Sequence, residues 1–559
     1  MNLHRKLRLI LPLLIIAILF TGCPWKNRKA DLILKNGTFY TGNPLKPTVE
    51  MVAIRGNRIL AVGKSDETDR YRVPATTVID LKGSFGCAGF NDSHAHLLSG
   101  GRSLDELDLS GCTTTLDIQK RILERINRQP WGSWVIGRGW DQNRFPDGEW
   151  PTKKILDDIT QDFPMVMTRI CGHAVLVNGK VLEIAGITSK TPDPPAGEIG
   201  HDPATGEPNG ILKEAAIDLV SQYLPSPSAE SINRSVERAV EAVRQFGLTT
   251  VQDYSDAEAL DAYRRLVRED RLTCRLTLWF PLEGDLVRYK KLQNEFNGPL
   301  VRFGLLKGFL DGTMGSRTAA FFAPYSDDST TQGILALTPE KLDEAVLLAD
   351  KDGFQVALHA IGDRAIRMGL DAYGLAQKIN GPRESRHRLE HVQAVSREDI
   401  PRFKALGVIA SMQPSHCIFD MPWAEARLGR ERCRTAYAWK SLSESGARLA
   451  FGSDWPVAPL NPLVGIYAAV SRCDTTGSPA GGWNPQERLS ITEAVDAYTL
   501  GSACAELMEH EKGSIEQGKL ADLVVLDRNL LRAAPAEILR TRVLYTIVGG
   551  KVVYENDRP

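Results

Sequence analysis

The chain runs to 559 residues, 43% hydrophobic and 25% charged, with 68 basic against 69 acidic residues. A single core stops growing well short of that length, so a large catalytic body with a companion domain is expected. The even charge leaves no broad footprint for nucleic acid, so the expected partner is a small-molecule substrate, and a homo-oligomer stays open.

His4, Arg5, Lys6 and Arg8 give a basic start, and the apolar run Leu9 to Phe20 follows without a charge. That run is short for a membrane span, which needs roughly 20 residues, and suits the apolar region of a secretory signal. It ends in Leu19-Phe20-Thr21-Gly22-Cys23, which resembles the lipobox of bacterial lipoproteins, with Phe20 where that family usually carries Leu. The resemblance implies a signal over residues 1–23, Cys23 as the lipid anchor, and a membrane-anchored lipoprotein, periplasmic or at the cell surface. The alternative, an uncleaved anchor, also tethers the body outside the cytoplasmic membrane. None of the nine cysteines forms a CxxC pair, so neither a cysteine zinc knuckle nor a thioredoxin-like motif is present. Most read as small apolar core residues.

Ala30 to Thr38 reads as a strand entering an Asn-Gly turn, and Val52 to Ile59 repeats strand, turn and strand. The same texture returns over Ala521–Asp527 and Val543–Tyr554. Residues 30–84 plus 508–559 are therefore expected to form one small composite β-sandwich, with the middle of the chain inserted into it. That middle, 85–507, alternates apolar strands with amphipathic helices, the pattern of a parallel α/β fold. Candidate strands are Phe85–Asn91, Leu248–Asp253, Leu276–Phe280, Leu305–Leu310, Gln355–His359, Arg388–His391, Val408–Met412 and Leu449–Gly452, with helices over Ser231–Phe246 and Pro339–Lys351. Eight strands match a (β/α)8 barrel of TIM type. The stretch from about 97 to 233, with Trp131, Trp134, Trp140 and Trp150, is too long for one crossover and reads as a subdomain over the barrel mouth.

Active sites of such barrels lie at the C-terminal ends of the strands. The first candidate strand leads into Asn91-Asp92-Ser93-His94-Ala95-His96, and side chains two apart on a strand share a face, so both imidazoles can reach one metal. The fifth ends at His359, the sixth at His391, and the eighth runs into Ser453-Asp454. Singly, each has a bland reading: a surface pair, a satisfied core histidine, a turn-forming aspartate. Together, at the strand ends of one barrel, they read as a metal site.

With those residues the chain resembles the amidohydrolase (metallo-dependent hydrolase) superfamily, and within it the amidohydrolase family 3 branch. The resemblance also covers Gly247 to Asp253 and Gly513 to Leu523. It implies a divalent metal, zinc by preference, as one or two ions held by His94, His96, His359, His391 and Asp454. Lys307, in Leu305-Leu306-Lys307-Gly308, matches the strand-four lysine that many members carbamylate to bridge two metals. The expected activity is hydrolysis of a carbon–nitrogen amide-type bond (N-acyl, N-formyl or cyclic amide), with Asp454 moving the proton of a water that the metal acidifies. His173, in Cys171-Gly172-His173-Ala174, resembles a family segment near the substrate and is a candidate for binding the carbonyl oxygen, or else a structural histidine. Arg317, on the loop after strand four, is a candidate for recognising a carboxylate, and Asp363 and Glu390 for orienting ligands. The competing readings are a deaminase or esterase on the same barrel and a non-catalytic binding lipoprotein.

Overall fold

The computed structural model describes residues 29–556. The signal segment 1–23 and the anchor Cys23 lie outside them. Its centre is one eight-stranded parallel sheet in strand order along the chain: β1 (Phe90–Ala95), β2 (Leu248–Tyr254), β3 (Arg275–Pro281), β4 (Val301–Phe309), β5 (Val356–Ala360), β6 (Arg388–His391), β7 (Ile409–Met412) and β8 (Arg448–Phe451). Every position of β1, β5, β6 and β7 is buried, as expected where helices cover one side of a parallel sheet and its own interior the other. The ends of the sheet meet: the Asp454 N–H donates to the His94 carbonyl at 2.7 Å. The Asp92 carboxylate takes both the Ser453 N–H at 2.9 Å and its hydroxyl at 2.5 Å. This is a TIM-type α/β architecture.

The helices start where the sequence supplies caps. Ser228 caps Ala229–Gln245 and Thr338 caps Pro339–Lys351, each hydroxyl accepting a backbone N–H of the first turn. Their apolar faces join one large core with the outer faces of the strands. Inside the sheet the lower layer is polar: Glu506 takes Lys512, Asn91 and Thr277, while Arg388 donates to Gln252, Ser411 and the Ser93 carbonyl.

The strand expected over Phe85–Asn91 is two strands. Phe85–Ala88 pairs with Thr38–Tyr40 and Leu523–Leu526 in another sheet, and the chain enters the barrel only at Phe90. Gly89 makes the transfer: a Cβ there would fall 2.1 Å from the Thr249 side chain, so only glycine lets the chain cross so close to β2. The six-stranded sheet that contains Phe85–Ala88 draws strands from both ends of the chain, Thr38–Tyr40 and Thr48–Val49 with Leu523–Leu526, Val543–Val548 and Lys551–Glu555. A four-stranded sheet of Leu32–Lys35, Met51–Arg55, Arg58–Gly63 and Thr77–Asp80 lies beside it. Leu34, Phe39, Ile54, Leu523 and Ile547 share one core there. Arg275 at the start of β3 grips Asp522 through two nitrogens, at 2.6 and 2.9 Å, and ties these strands to the barrel.

Between β1 and β2 stands a further six-stranded sheet, which includes Val135–Trp140, Met165–Arg169, Ala174–Val177 and Pro208–Glu214. It has its own apolar cores. Trp140 is fully buried in one of them and donates its indole N–H to the Met167 carbonyl at 2.7 Å, whereas Trp131 is largely exposed.

Candidate metal centre

The strand ends bring the histidines together. The His94 ring lies 5.5 Å from that of His96 and 5.1 Å from that of His391, and the His359 and His391 rings are 4.4 Å apart. Asp454 closes the group: its Oδ1 is 3.1 Å from His96 Nε2 and 3.5 Å from His94 Nε2. All of them, with Lys307, line one cavity of about 330 Å³. That volume suits a small molecule.

Three of these imidazoles are turned the same way. The Nδ1 of His94 meets Glu390 Oε2 at 2.8 Å, that of His359 meets Asp311 Oδ1 at 3.1 Å, and that of His391 meets Gln413 Oε1 at 2.8 Å. Each acceptor takes an N–H, so each Nε2 keeps its lone pair for the cavity, as in the carboxylate–histidine–metal arrangement. Burial drives all three imidazoles toward the neutral form that a ligand needs: His94 falls to about 4, and His359 and His391 are also lowered. Burial works the other way on Asp454, but His94 and the His96 hydrogen bond outweigh it and keep the carboxyl well below its ordinary range.

Lys307 comes from β4. Its Nζ is buried, has no hydrogen-bond partner, and sits 5.3 Å from the Phe309 ring and 5.9 Å from that of Trp279. Burial pulls its amine down to about 8. A buried ammonium without a partner is costly, and the same side chain as a carbamate would be an anionic ligand. The orphaned Nζ and the three free Nε2 atoms therefore fit a metal centre. The backbone bends to make it: His391 (φ 75°) and Asp454 (φ 57°) both occupy the left-handed region, where a residue with a Cβ is strained.

His173 also lines the cavity, its ring 5.5 Å from that of His359. Its Nδ1 meets Glu214 Oε2 at 2.7 Å, and Glu214 Oε1 accepts the Thr318 hydroxyl at 2.6 Å. Burial lowers the His173 pKa, but the Glu214 charge and hydrogen bond override it and carry it up to about 9, so the ring is a cation at neutral pH.

Not every expected residue arrives. Arg317 does not line the cavity: the Asp327 carboxylate holds its guanidinium, with Nη2 at 3.0 Å and Nε at 3.2 Å, so its charge is already paired. Asp363 accepts the Phe322 N–H as its helix begins and bonds none of the ligands, whereas Glu390 does. None of the four inserted tryptophans lines the cavity, and Trp423 does.

Sequence reasoning also missed residues that the structure puts there. Asp311 lies two residues past the end of β4, a position that marked it in principle. Glu214 and Gln413 act through histidines on other elements, and nothing local signals them. His416 lies on the short helix Pro414–Asp420, four residues past β7, where strand alternation says nothing about its direction. Its Nε2 is 3.8 Å from Asp454 Oδ2, and its Nδ1 faces the Gln393 amide nitrogen at 3.4 Å. With His391 and Asp454 it forms a second group whose donor atoms lie close enough together to hold one ion.

A model described as the amidohydrolase family matches residues 77–554. The protein LONG AFTER FAR-RED 3 of Arabidopsis thaliana is 36% identical over 539 residues, 94% of this chain and 92% of that one. The N-substituted formamide deformylase of Arthrobacter pascens is 29% identical over 550 residues, covering 94% and 98% respectively. Among solved structures, an uncharacterized metal-dependent hydrolase from Pyrococcus horikoshii OT3 superposes with a TM-score of 0.73 at 31% identity, over 90% of this chain and 99% of that one.

Proposed function

The chain belongs to the amidohydrolase family as a metal-dependent hydrolase acting on carbon–nitrogen bonds, and from that premise we propose that it cleaves an amide-type bond: N-acyl, N-formyl or cyclic amide. The observation that carries this reading is the convergence of His94 Nε2 and His96 Nε2 on the Asp454 carboxylate. His94, His96 and Asp454 would hold one ion, His359 and His391 a second, and Lys307 as its carbamate would bridge them, with zinc preferred by this nitrogen and oxygen donor set. When bound, the metal supplies Lewis acidity, acidifying a water and polarising the scissile carbonyl.

The remaining work falls to side chains. Asp454, kept ionised, accepts the proton of the attacking water and passes it to the leaving nitrogen. The cationic His173, braced by Glu214, donates to the carbonyl oxygen as negative charge builds on it, and the His416 imidazole faces Asp454 from the other wall. The inserted sheet and the rim 313–315 supply part of the cavity wall. The same reading takes residues 30–84 with 508–559 as one β-sandwich domain, the rest as the barrel domain with its insertion, and Cys23 as a lipid anchor on an exported protein.

The test is Asp454→Asn, assayed on a panel of N-formyl, N-acyl and cyclic amides with deaminase and ester substrates alongside. Turnover of an amide by the wild type, lost by about 10²- to 10⁴-fold in the variant while metal is retained, is the expected result. Full activity in the variant, or turnover confined to esters or ring amines, refutes the proposal.

A further inference from the structure

The inserted sheet presents one guanidinium to the metal cavity that no other described residue neutralises at contact range. Arg138 sits on the strand Val135–Trp140 and lines the cavity with the metal-site histidines. Among the described residues its side chain makes no hydrogen bond and no ion pair. The acidic groups that act on it, Glu106 first and Asp454 after it, do so from a distance. The other arginine of the cavity wall is already committed: Arg169 donates to Asp141 at 2.6 Å and to Gln142 at 2.7 Å.

The neighbour of Arg138 strengthens the case. In the parallel register of the two inserted strands, Arg138 stands directly beside Thr168, which also lines the cavity. Cross-strand partners project from the same face of a sheet. The Thr168 hydroxyl likewise bonds no other described side chain or backbone group. A half-buried fork of guanidinium N–H donors and a hydroxyl, both without partners, is complementary to a planar anion. A half-buried cation without a partner keeps part of its desolvation cost, and a ligand's charge would offset that cost.

We propose that Arg138, assisted by Thr168, binds a carboxylate of the substrate, so that the amides turned over are N-acyl or N-formyl compounds bearing a carboxylate away from the scissile bond. The proposal rests on the amide-hydrolase reading for the reaction but not for the binding. The apolar part of the wall, Phe309, Met314, Ile361 and Trp423, then faces the hydrocarbon between the two polar ends.

The experiment compares two substrates that differ only in the carboxylate, N-formyl-5-aminopentanoate and N-formylbutylamine, on the wild type and Arg138→Met. A charge-assisted fork is worth about 10- to 100-fold in affinity. The wild type should therefore prefer the acid by about that factor. R138M should lose the preference, and the loss should appear in KM for the acid. Arg138→Lys should recover part of it, and Thr168→Val should lose several-fold. Equal preference in the wild type and R138M overturns the inference while leaving the amidase reading intact. If neither formamide is hydrolysed, the amide-hydrolase reading is decided by the wider panel above, and calorimetry with 3-phenylpropionate decides the Arg138 inference alone: binding at least tenfold weaker in R138M supports it, and unchanged binding overturns it. If R138M does not fold, R138K and T168V carry the same comparison.

Discussion

Replacing Glu390 by Gln tests whether the metal centre is built by its supporting contacts or only by its ligands. Glu390 is wholly buried between His94, whose Nδ1 it meets at 2.8 Å, and Arg388, whose Nε lies 2.9 Å from Oε1 as an ion pair too bent for a hydrogen bond. A carboxylate serves both cations or donors at once. Glutamine has one acceptor oxygen, so its NH₂ must face either the His94 N–H or the Arg388 guanidinium. Removing one member of a buried pair costs about 3–5 kcal/mol. Arg388 keeps Gln252, Ser411 and the Ser93 carbonyl, so the loss should fall near about 3 kcal/mol. A lost orienting partner costs about 10- to 100-fold in metal affinity. The sign with pH is fixed. Burial raises the Glu390 pKa, but Arg388 and His94 outweigh it and hold it at about 2, below the ordinary 4.5. Its contribution is therefore fully present above about 4.5 and lost as the pH falls toward 2. Urea unfolding of wild type and E390Q should differ most near neutrality, and the gap should close below about pH 4.5. Zinc competition against a chelator reads the second quantity. A destabilised variant whose zinc affinity stays within about twofold of wild type would show that Glu390 balances Arg388 and does not orient His94.

Two further perturbations separate the roles of the remaining groups. Lys307→Met removes the candidate carbamate but relieves a buried amine, so metal content should drop by about one equivalent per chain without loss of stability; unchanged stoichiometry by elemental analysis refutes the bridge. Glu214→Gln removes the charge that overrides burial at His173. In metal-free protein, the His173 imidazole should titrate near 9 by NMR in the wild type and at or below its ordinary 6.5 in the variant. Because the folded-state value is raised, that stability is complete below about 6.5 and disappears as the pH rises through about 9. A midpoint that does not move assigns the shift to something other than Glu214.

The barrel was legible because its strands are short, apolar and separated by capped helices, a pattern that local chemistry alone produces. The boundary at Gly89 was not, because the apolar run from Phe85 onward carries no local sign that its two halves belong to different sheets. That division depends on Thr249, about 160 residues away in sequence. The ligands were legible where strand alternation or a strand end aimed them, at His94, His96, His359, His391 and Asp454. Arg317 misled because a rim position says nothing of rotamer or partner, and Asp327 lies ten residues further on. Arg138 escaped notice for the converse reason: its interest lies in the partners it lacks, which only packing reveals.

A histidine has two nitrogens, and the residue that fixes which one faces the cavity lies on a different element each time. His94 on β1 is set by Glu390 on β6, across the barrel; His359 on β5 by Asp311, just past β4; His391 on β6 by Gln413, just past β7. The donor set is thus a property of strand register as much as of residue identity. A one-residue slip of β6 against its neighbours would turn Glu390 outward and bring His391 to the wrong face, breaking the supports of two ligands at once. Arg388, lying between Gln252 of β2, Ser93 of β1 and Ser411 of β7, resists that slip, because its guanidinium reaches acceptors on three other strands only in the native alignment. The buried polar layer under the cavity therefore holds the strands in the one register that gives the metal its nitrogens.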